Sequence, residues 1–222
     1  MFSLAHSIFL ATAASLLIVQ PTPALDSPLS DTAVRSAYFL GQRYKASPGE
    51  YLGPYTKFLP TPKTCPHVQV VQFLTPFAQL VREYATRVGE YSAQQAQIDH
   101  RSKEENVIIT IVIALTPTYS RFLSPGEMAA TDLSKDQNLR PSTFWKDFRY
   151  RALDENANRK PTNLSGRGNF NCGKWGGNCV LTGATVTMEF PASAFSSQLA
   201  TIEITSPDGQ VVHADFDLAS FR

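Results

Sequence analysis

The stretch that decides the fold is residues 106–116, which read NVIITIVIALT. Apolar side chains occupy both alternating sets of positions, and Thr110 is the single polar residue within the apolar run. Because successive side chains of a β-strand point to opposite faces, a strand that is apolar on both sets is expected to be covered on both faces. We therefore predict a strand over 106–116 in the middle of the structure.

Working outward, the C-terminal third predicts strands with a single apolar face. Apolar and polar residues alternate in the runs 144–152 and 184–190 and across 201–218. The last run is divided by Ser206-Pro-Asp-Gly209, whose residues suit a type I turn, so 201–218 should be an antiparallel hairpin. One-sided antiparallel strands at this spacing predict an Ig-like β-sandwich.

Helical periodicity marks the N-terminal segment of the mature chain, residues 25–60. Ser30 or Asp31 can cap a helix that runs to about Tyr44, and a second short helix is predicted over 50–59.

The remainder, 61–222, is predicted to be the β-sandwich domain with a helical insertion at about 76–103. A strand over 67–74 precedes the insertion. The period then changes at Pro76, which suits the first turn of a helix, and Ser92 can cap a second one. The fold class predicted is mainly β with helices, α+β.

The N-terminus predicts export. An apolar run from Ile8 to Val19 is too short to span a bilayer, and small residues at Thr22 and Ala24 fit a signal-peptidase site. We therefore predict a signal peptide over 1–24, a periplasmic or extracellular location and no transmembrane segment in the mature chain.

The chain has three cysteines, Cys65, Cys172 and Cys179. In an oxidising compartment the two that enclose a short glycine-rich loop are expected to form a disulfide, Cys172–Cys179. Cys65 is then left over, as a small buried residue or as a thiol two positions from His67.

The glycine-rich segment 166–177 matches no phosphate-binding loop. Arg167, Lys174 and Trp175 in it form a possible binding loop, and the alternative is a plain hairpin loop that the disulfide closes.

Charge argues against an electrostatic partner. Twenty Lys and Arg against nineteen Asp and Glu give a net charge of +1, which creates no field that would attract nucleic acid. We predict no nucleic-acid partner.

Metal and cofactor motifs are missing from the sequence. His67, His100 and His213 lie on separate predicted elements without ligand spacing. The Asx-rich stretches 132–138 and 154–158 lack the Gly and Glu that a calcium loop of the EF-hand type needs, so they are interpreted as turns. No metal ligand and no cofactor is predicted.

Nucleophile motifs are also missing from the sequence, and no catalytic residue is predicted. His213, Asp215 and Asp217 share one face of the last strand, where they are interpreted as a solvated face; the alternative is acid–base chemistry.

Four short segments of the chain are distinctive: Ser36–Arg43, Leu74–Ala78, Tyr91–Ala96 and Asp215–Leu218. They resemble segments of a family of uncharacterised exported bacterial proteins. The resemblance implies bacterial export and a shared fold, and it transfers no activity and no site residue.

The function predicted is a non-enzymatic interaction module that binds a protein or another component of the cell envelope. Two alternatives remain: a hydrolase with an unrecognised site, and a carbohydrate- or lipid-binding sandwich with exposed aromatic residues such as Trp175 or Tyr119. A cleft in which His67, His213 or Asp215 meets a serine or a carboxylate would favour the hydrolase.

Overall fold

The computed structural model describes residues 25–61, 66–87, 91–115, 142–172 and 179–221. Several sequence predictions lie outside these residues: the signal peptide 1–24, the 132–138 turn, Cys65, Tyr119, Lys174 and Trp175.

Four helices and nine strands make up the regular structure of the described residues. The helices are α1 (Asp31–Arg43), α2 (Pro48–Leu52), α3 (Pro76–Thr86) and α4 (Ala93–His100). The strands are β1 (Thr56–Phe58), β2 (His67–Leu74), β3 (Asn106–Ala114), β4 (Arg149–Asp154), β5 (Ala157–Arg159), β6 (Asn163–Cys172), β7 (Cys179–Pro191), β8 (Leu199–Thr205) and β9 (Val211–Asp217). Short 3-10 helices occupy Phe144–Asp147, Ala192–Ala194 and Leu218–Ser220.

The strands form two sheets in which every pairing is antiparallel. One sheet has the order β1-β2-β3-β7-β6, and the other has the order β5-β4-β8-β9. The fold is therefore mainly antiparallel β with helices, as the sequence predicts. The 106–116 stretch supplies β3, which is the middle strand of the five.

A single hydrophobic core joins the inner faces of both sheets. Val107, Ile109, Ile111 and Ile113 of β3 are fully buried in it, together with Phe216 of β9. The other face of β3 is only half-buried, although the sequence predicts cover on both faces. Part of the cover comes from helices, because Ile108 packs against a small cluster that contains Leu52 of α2 and Ala78 of α3.

The helices pack on one another in a second cluster. Val34 and Ala37 of α1 are buried there against Val81 and Tyr84 of α3. Side-chain caps begin three of the helices. As predicted, the Ser30 hydroxyl accepts from the Ala33 N–H at α1, and Ser92 caps α4 in the same way. Thr75, which was not predicted as a cap, caps α3, and Pro76 lies in the first turn as predicted.

The segment before α1 connects the two clusters. Leu25 is buried in the core between the sheets, and Leu29 is buried among the helices. The Ser27 hydroxyl and the Leu29 N–H both donate hydrogen bonds to Glu105, which directly precedes β3. We call residues 25–30 the N-terminal strap.

Three local predictions are wrong. Thr56–Phe58, predicted as helix, is strand β1. Phe144–Asp147, predicted as the start of a strand, is a turn of 3-10 helix. In β2, strict alternation predicts Val68 and Val70 on one face and Val71 on the other, but a register shift between Val68 and Val70 places Val68 in the core together with Val71.

Among the residues that the structure describes, we find no helix that is both long and apolar enough to cross a bilayer.

Candidate functional site

A cleft of about 250 Å³ opens where the first residues of β2 and β9 come together. Most of its lining is apolar: Leu59, Pro60, Pro66, Val68, Phe148, Ile204, Val211 and Val212. Three polar residues complete the described lining: His67, Ser206 and Gln210. Binding sites are usually clefts with an apolar wall and a few polar groups. This cleft is therefore the first candidate for a functional site.

Both sheets contribute to the cleft. His67 is the first residue of β2 and lies opposite Ala114 of β3. From the other sheet, Val211 begins β9 opposite Thr205, directly after the turn that the sequence predicts. The Ser206 carbonyl accepts the Gly209 N–H at 3.0 Å, and Gly209 has a φ of 87°, a conformation that glycine adopts without strain.

His67 is the unusual residue of this cleft. Its side chain is half-buried, yet both ring nitrogens are shielded from solvent and have no hydrogen-bond partner among the described residues. A buried polar atom without a partner costs roughly 1–3 kcal/mol.

Ser206 does not complete a nucleophile–base pair with His67. Its hydroxyl donates to the Asp208 carboxylate and lies 3.2 Å from the Gln210 carbonyl oxygen. Since the imidazole has no partner in the described part of the chain, the contact that would activate a serine is not formed there. The described lining also includes no Lys, Arg, Asp or Glu.

A buried carboxylate–imidazole pair lies elsewhere, under the N-terminal strap. Glu105 Oε1 is 2.9 Å from His100 Nε2 and 2.6 Å from the Leu29 nitrogen, while Oε2 accepts from the Ser27 hydroxyl at 2.7 Å. Both side chains are about one-tenth exposed, and His100 Nδ1 is buried without a partner among the described residues. This pair borders a polar cleft of about 360 Å³.

Asp154 is the second buried carboxylate, and its bonds account for it structurally. It accepts hydrogen bonds from the Ser196 and Ser197 backbone N–H groups, from both serine hydroxyls and from Arg159 at 2.6 Å. Burial opposes ionisation, but the bonds from Ser197, Arg159 and Ser196 outweigh it and lower the pKa of Asp154 to about 2. The stretch 154–158 contains the predicted turn, at Glu155-Asn156, which joins the end of β4 to the start of β5.

The last strand carries its polar residues toward solvent, as predicted. His213, Asp215 and Asp217 are all exposed. Asp215 accepts from the Thr201 hydroxyl at 2.7 Å, and Asp217 caps the following 3-10 turn through the Ala219 N–H.

The disulfide forms between the predicted partners, with 4.1 Å between the Cα atoms of Cys172 and Cys179. Of the possible binding loop, only Arg167 is among the described residues. It lies not in a loop but on β6, opposite Thr185 of β7, and its side chain is exposed.

Within the described residues, no group of three or more His, Cys, Asp and Glu side chains is arranged to hold a metal ion. Comparison with protein-family models gives no match, and no curated protein matches the chain.

Two features of these sites could not be predicted from the sequence. His100 and Glu105 are five positions apart, but Ser27, which bonds to Glu105 and helps to bury the pair, is 78 positions from it. The sequence places His67 two positions from Cys65, whereas in the structure its two ring nitrogens are buried without a partner among the described residues. Neither property has a local sequence signal.

Proposed function

We propose that this chain is an exported, non-enzymatic interaction module that binds a protein or another envelope component through the cleft at His67. The observation that carries the proposal is a cleft of about 250 Å³ between the two sheets whose described lining is mostly apolar. Such a site favours a ligand with an apolar surface.

Two further observations support binding rather than chemistry. Ser206 is bonded to Asp208, so the described lining lacks a serine that is paired with a base. The mouth of the cleft is apolar, since Val211 is 50% exposed beside it, and exposed apolar groups around a pocket favour contact with a macromolecule.

We also propose that the two sheets form an Ig-like β-sandwich. Sheets of five and four antiparallel strands that share one core support a sandwich, and interaction modules often use that architecture. Export is supported by the Cys172–Cys179 bridge, because disulfides persist in oxidising compartments.

The experiment compares two tryptophan substitutions in capture from envelope extract read by mass spectrometry. Val211→Trp places a large side chain at the mouth of the cleft. Leu199→Trp is the matched control, because Leu199 is 46% exposed and lies at the opposite end of the β8–β9 hairpin. We expect wild type and Leu199→Trp to capture the same component and Val211→Trp to lose it. Equal capture by both variants would show that the cleft is not the binding site.

A hydrolase is the second candidate, and the His100–Glu105 pair favours it. A carboxylate that holds one imidazole nitrogen and leaves the other free is the arrangement of a general base. A panel of chromogenic ester, phosphate and glycoside substrates tests this candidate. Activity that wild type has and His100→Gln lacks would favour the hydrolase, whereas no turnover by folded protein would argue against it.

A further inference from the structure

We infer that Asn163 accepts an N-linked glycan when the chain is exported through a compartment that contains an oligosaccharyl transferase. The inference goes beyond the proposed binding function and shares with it only the requirement for export. Three observations carry it: a triplet in the sequence, the face of β6 on which the triplet places its polar side chains, and the position of β6 at the edge of its sheet.

The triplet is Asn163-Leu164-Ser165, which has the form Asn-x-Ser with x other than proline. This is the acceptor pattern of N-glycosylation, in which the asparagine amide is recognised together with a hydroxyl two residues later. No other asparagine of the sequence is followed at that distance by Ser or Thr. A glycan is bulky and hydrophilic, so the surroundings of Asn163 decide whether the folded protein can carry one.

Asn163 and Ser165 lie on the face of β6 that points away from the core. Asn163 is opposite Glu189 of β7, and the register then places Ser165 opposite Thr187. Residues directly opposite one another share a face of the sheet, and Met188, which alternates with these two β7 residues, is buried in the core. Both Asn163 and Ser165 are exposed, so a glycan on the Asn163 amide would extend into solvent.

Among the described strands, β6 has a neighbour on one side only, because it is the last strand in the order β1-β2-β3-β7-β6. Its start is fixed on that paired side, where the Thr162 N–H and hydroxyl donate to the Glu189 carbonyl at 2.8 and 3.0 Å. Leu164 lies on the opposite face from Asn163 and is still 45% exposed, so solvent reaches both faces of the strand at the triplet. A glycan at Asn163 therefore displaces neither a described strand nor a core side chain.

The transfer is a substitution at the anomeric carbon of a lipid-linked oligosaccharide. The Asn163 amide nitrogen forms a bond to that carbon and loses a proton. The bond from the carbon to the diphosphate of the lipid carrier breaks, and the diphosphate leaves with the bonding electrons. The exporting compartment supplies this polyprenyl diphosphate donor, and the step needs no oxidant or reductant.

The test is secretion of the full precursor by a eukaryotic host, with intact mass measured before and after treatment with an N-glycosidase. We expect the secreted protein to carry a glycan, and its removal should lower the mass and convert Asn163 to aspartate, which peptide mapping would locate. Secreted protein without a glycan would overturn the inference. A precursor that the cells retain without a glycan would overturn it too, because the inference requires export.

Variants locate the glycan. Asn163→Gln and Ser165→Ala should both abolish the mass shift, while Ser165→Thr, which keeps a hydroxyl, should retain it. Asn171→Gln is the matched control, because Asn171 is also exposed on β6 but is followed by Cys172 and Gly173. A shift that survives in both Asn163→Gln and Ser165→Ala would place the glycan elsewhere and would overturn the inference.

A second measurement tests the position of the glycan on the folded protein. Because Asn163 is exposed on the outward face of β6, an endoglycosidase that cleaves within the glycan core should release the glycan from native protein as completely as from denatured protein. Release only after denaturation would overturn the placement on which the inference rests. The capture experiment with Val211→Trp changes β9 and not β6, so the proposed binding function stands or fails independently of the glycan.

Discussion

The indole of Trp145 lies directly over the backbone of Gly166. A Cβ atom built on Gly166 would be 2.6 Å from Cε2 of that indole, closer than real Cβ contacts come. Trp145 belongs to the 3-10 turn before β4, and Gly166 lies on β6. This contact therefore joins an edge strand of the five-stranded sheet to the turn that leads into β4 of the four-stranded sheet. The glycine is therefore required by packing against the ring.

Gly166→Ala should lower the free energy of unfolding by about 1–3 kcal/mol, because the ring and the strand must separate to admit a methyl group. Chemical denaturation measures the change. Gly49→Ala is the control, since no atom lies within 4 Å of its added Cβ and the residue is in helix α2. That control should be neutral or stabilising by up to about 1 kcal/mol. Equal losses in the two variants would show that the indole contact is not the cause.

The Gly166 contact also explains one limit of sequence reasoning. Glycines 166 and 168 predict a loop by composition, yet both lie in strand β6. Glycine appears there because a neighbour from another element needs the space, and that neighbour is 21 positions away from Gly166 in the chain. Local composition carries no record of such a contact.

Elements whose pattern repeats over many residues were the predictable ones. Strand β7 and the β8–β9 hairpin follow the alternation that a single buried face imposes. Helix α1 follows its cap and helical spacing, and α3 follows its helical spacing. Strand β1 has only three residues, too few for a period to show. The cleft depends on where the ends of two sheets meet, and that position follows from packing between sheets.

Asp154 should make the stability of the folded protein fall at acid pH. Its pKa is lowered to about 2 in the folded protein from an ordinary 3.8, so its contribution is complete above about pH 4 and is lost as pH falls toward 2. This difference between the two pKa values corresponds to about 2 kcal/mol in the free energy of unfolding. Asp154→Asn should lower stability near neutral pH and should remove this part of the acid dependence, as denaturation at several pH values would measure.

Asp215→Asn provides the comparison for Asp154. Asp215 is exposed and accepts one side-chain bond, from Thr201. Its replacement should change stability by less than about 1 kcal/mol. An acid dependence that is unaltered in Asp154→Asn would refute the assignment to the buried carboxylate.

Removal of the disulfide should affect stability and leave binding intact. Replacing Cys172 and Cys179 together by serine should cost about 2.5 kcal/mol, the loop-closure value for a bridge that spans so short a segment. The melting midpoint reports the loss, and capture of the envelope component below that midpoint should be unchanged. Thiol titration of denatured, unreduced protein should find one thiol, from Cys65; three thiols would show that the pair is not bridged in the exported protein.

Glu105 should hold the N-terminal strap in place. Glu105→Gln replaces one carboxylate oxygen by an amide NH₂, so either the Ser27 bond or the Leu29 and His100 bonds lose their acceptor. Stability should therefore fall by about 1–3 kcal/mol. Limited proteolysis should then cut the strap earlier than in wild type. Glu203→Gln is the control, because Glu203 pairs with an exposed Arg151 at 3.1 Å. Equal cleavage in both variants would show that Glu105 does not hold the N-terminal strap in place.

The precursor is expected to lose residues 1–24, so that the mature chain begins at Leu25. Intact mass of the protein from the exported fraction of a bacterial host measures this directly. A mature chain that still begins at Met1 would contradict both the signal peptide and the compartment in which we expect the disulfide to form.

The N-terminal strap has a consequence for how the molecule comes apart. Leu25 is packed between the sheets and Leu29 among the helices, with Glu105 bonded to the backbone and side chains between them. Detaching the helices from the sheets therefore pulls a leucine out of one core or the other and exposes a carboxylate that has lost its donors. Partial opening is penalised on both sides at once, so helices and sheets should unfold as a single cooperative unit, and amides of α1 and β3 should exchange their hydrogens through the same global transition.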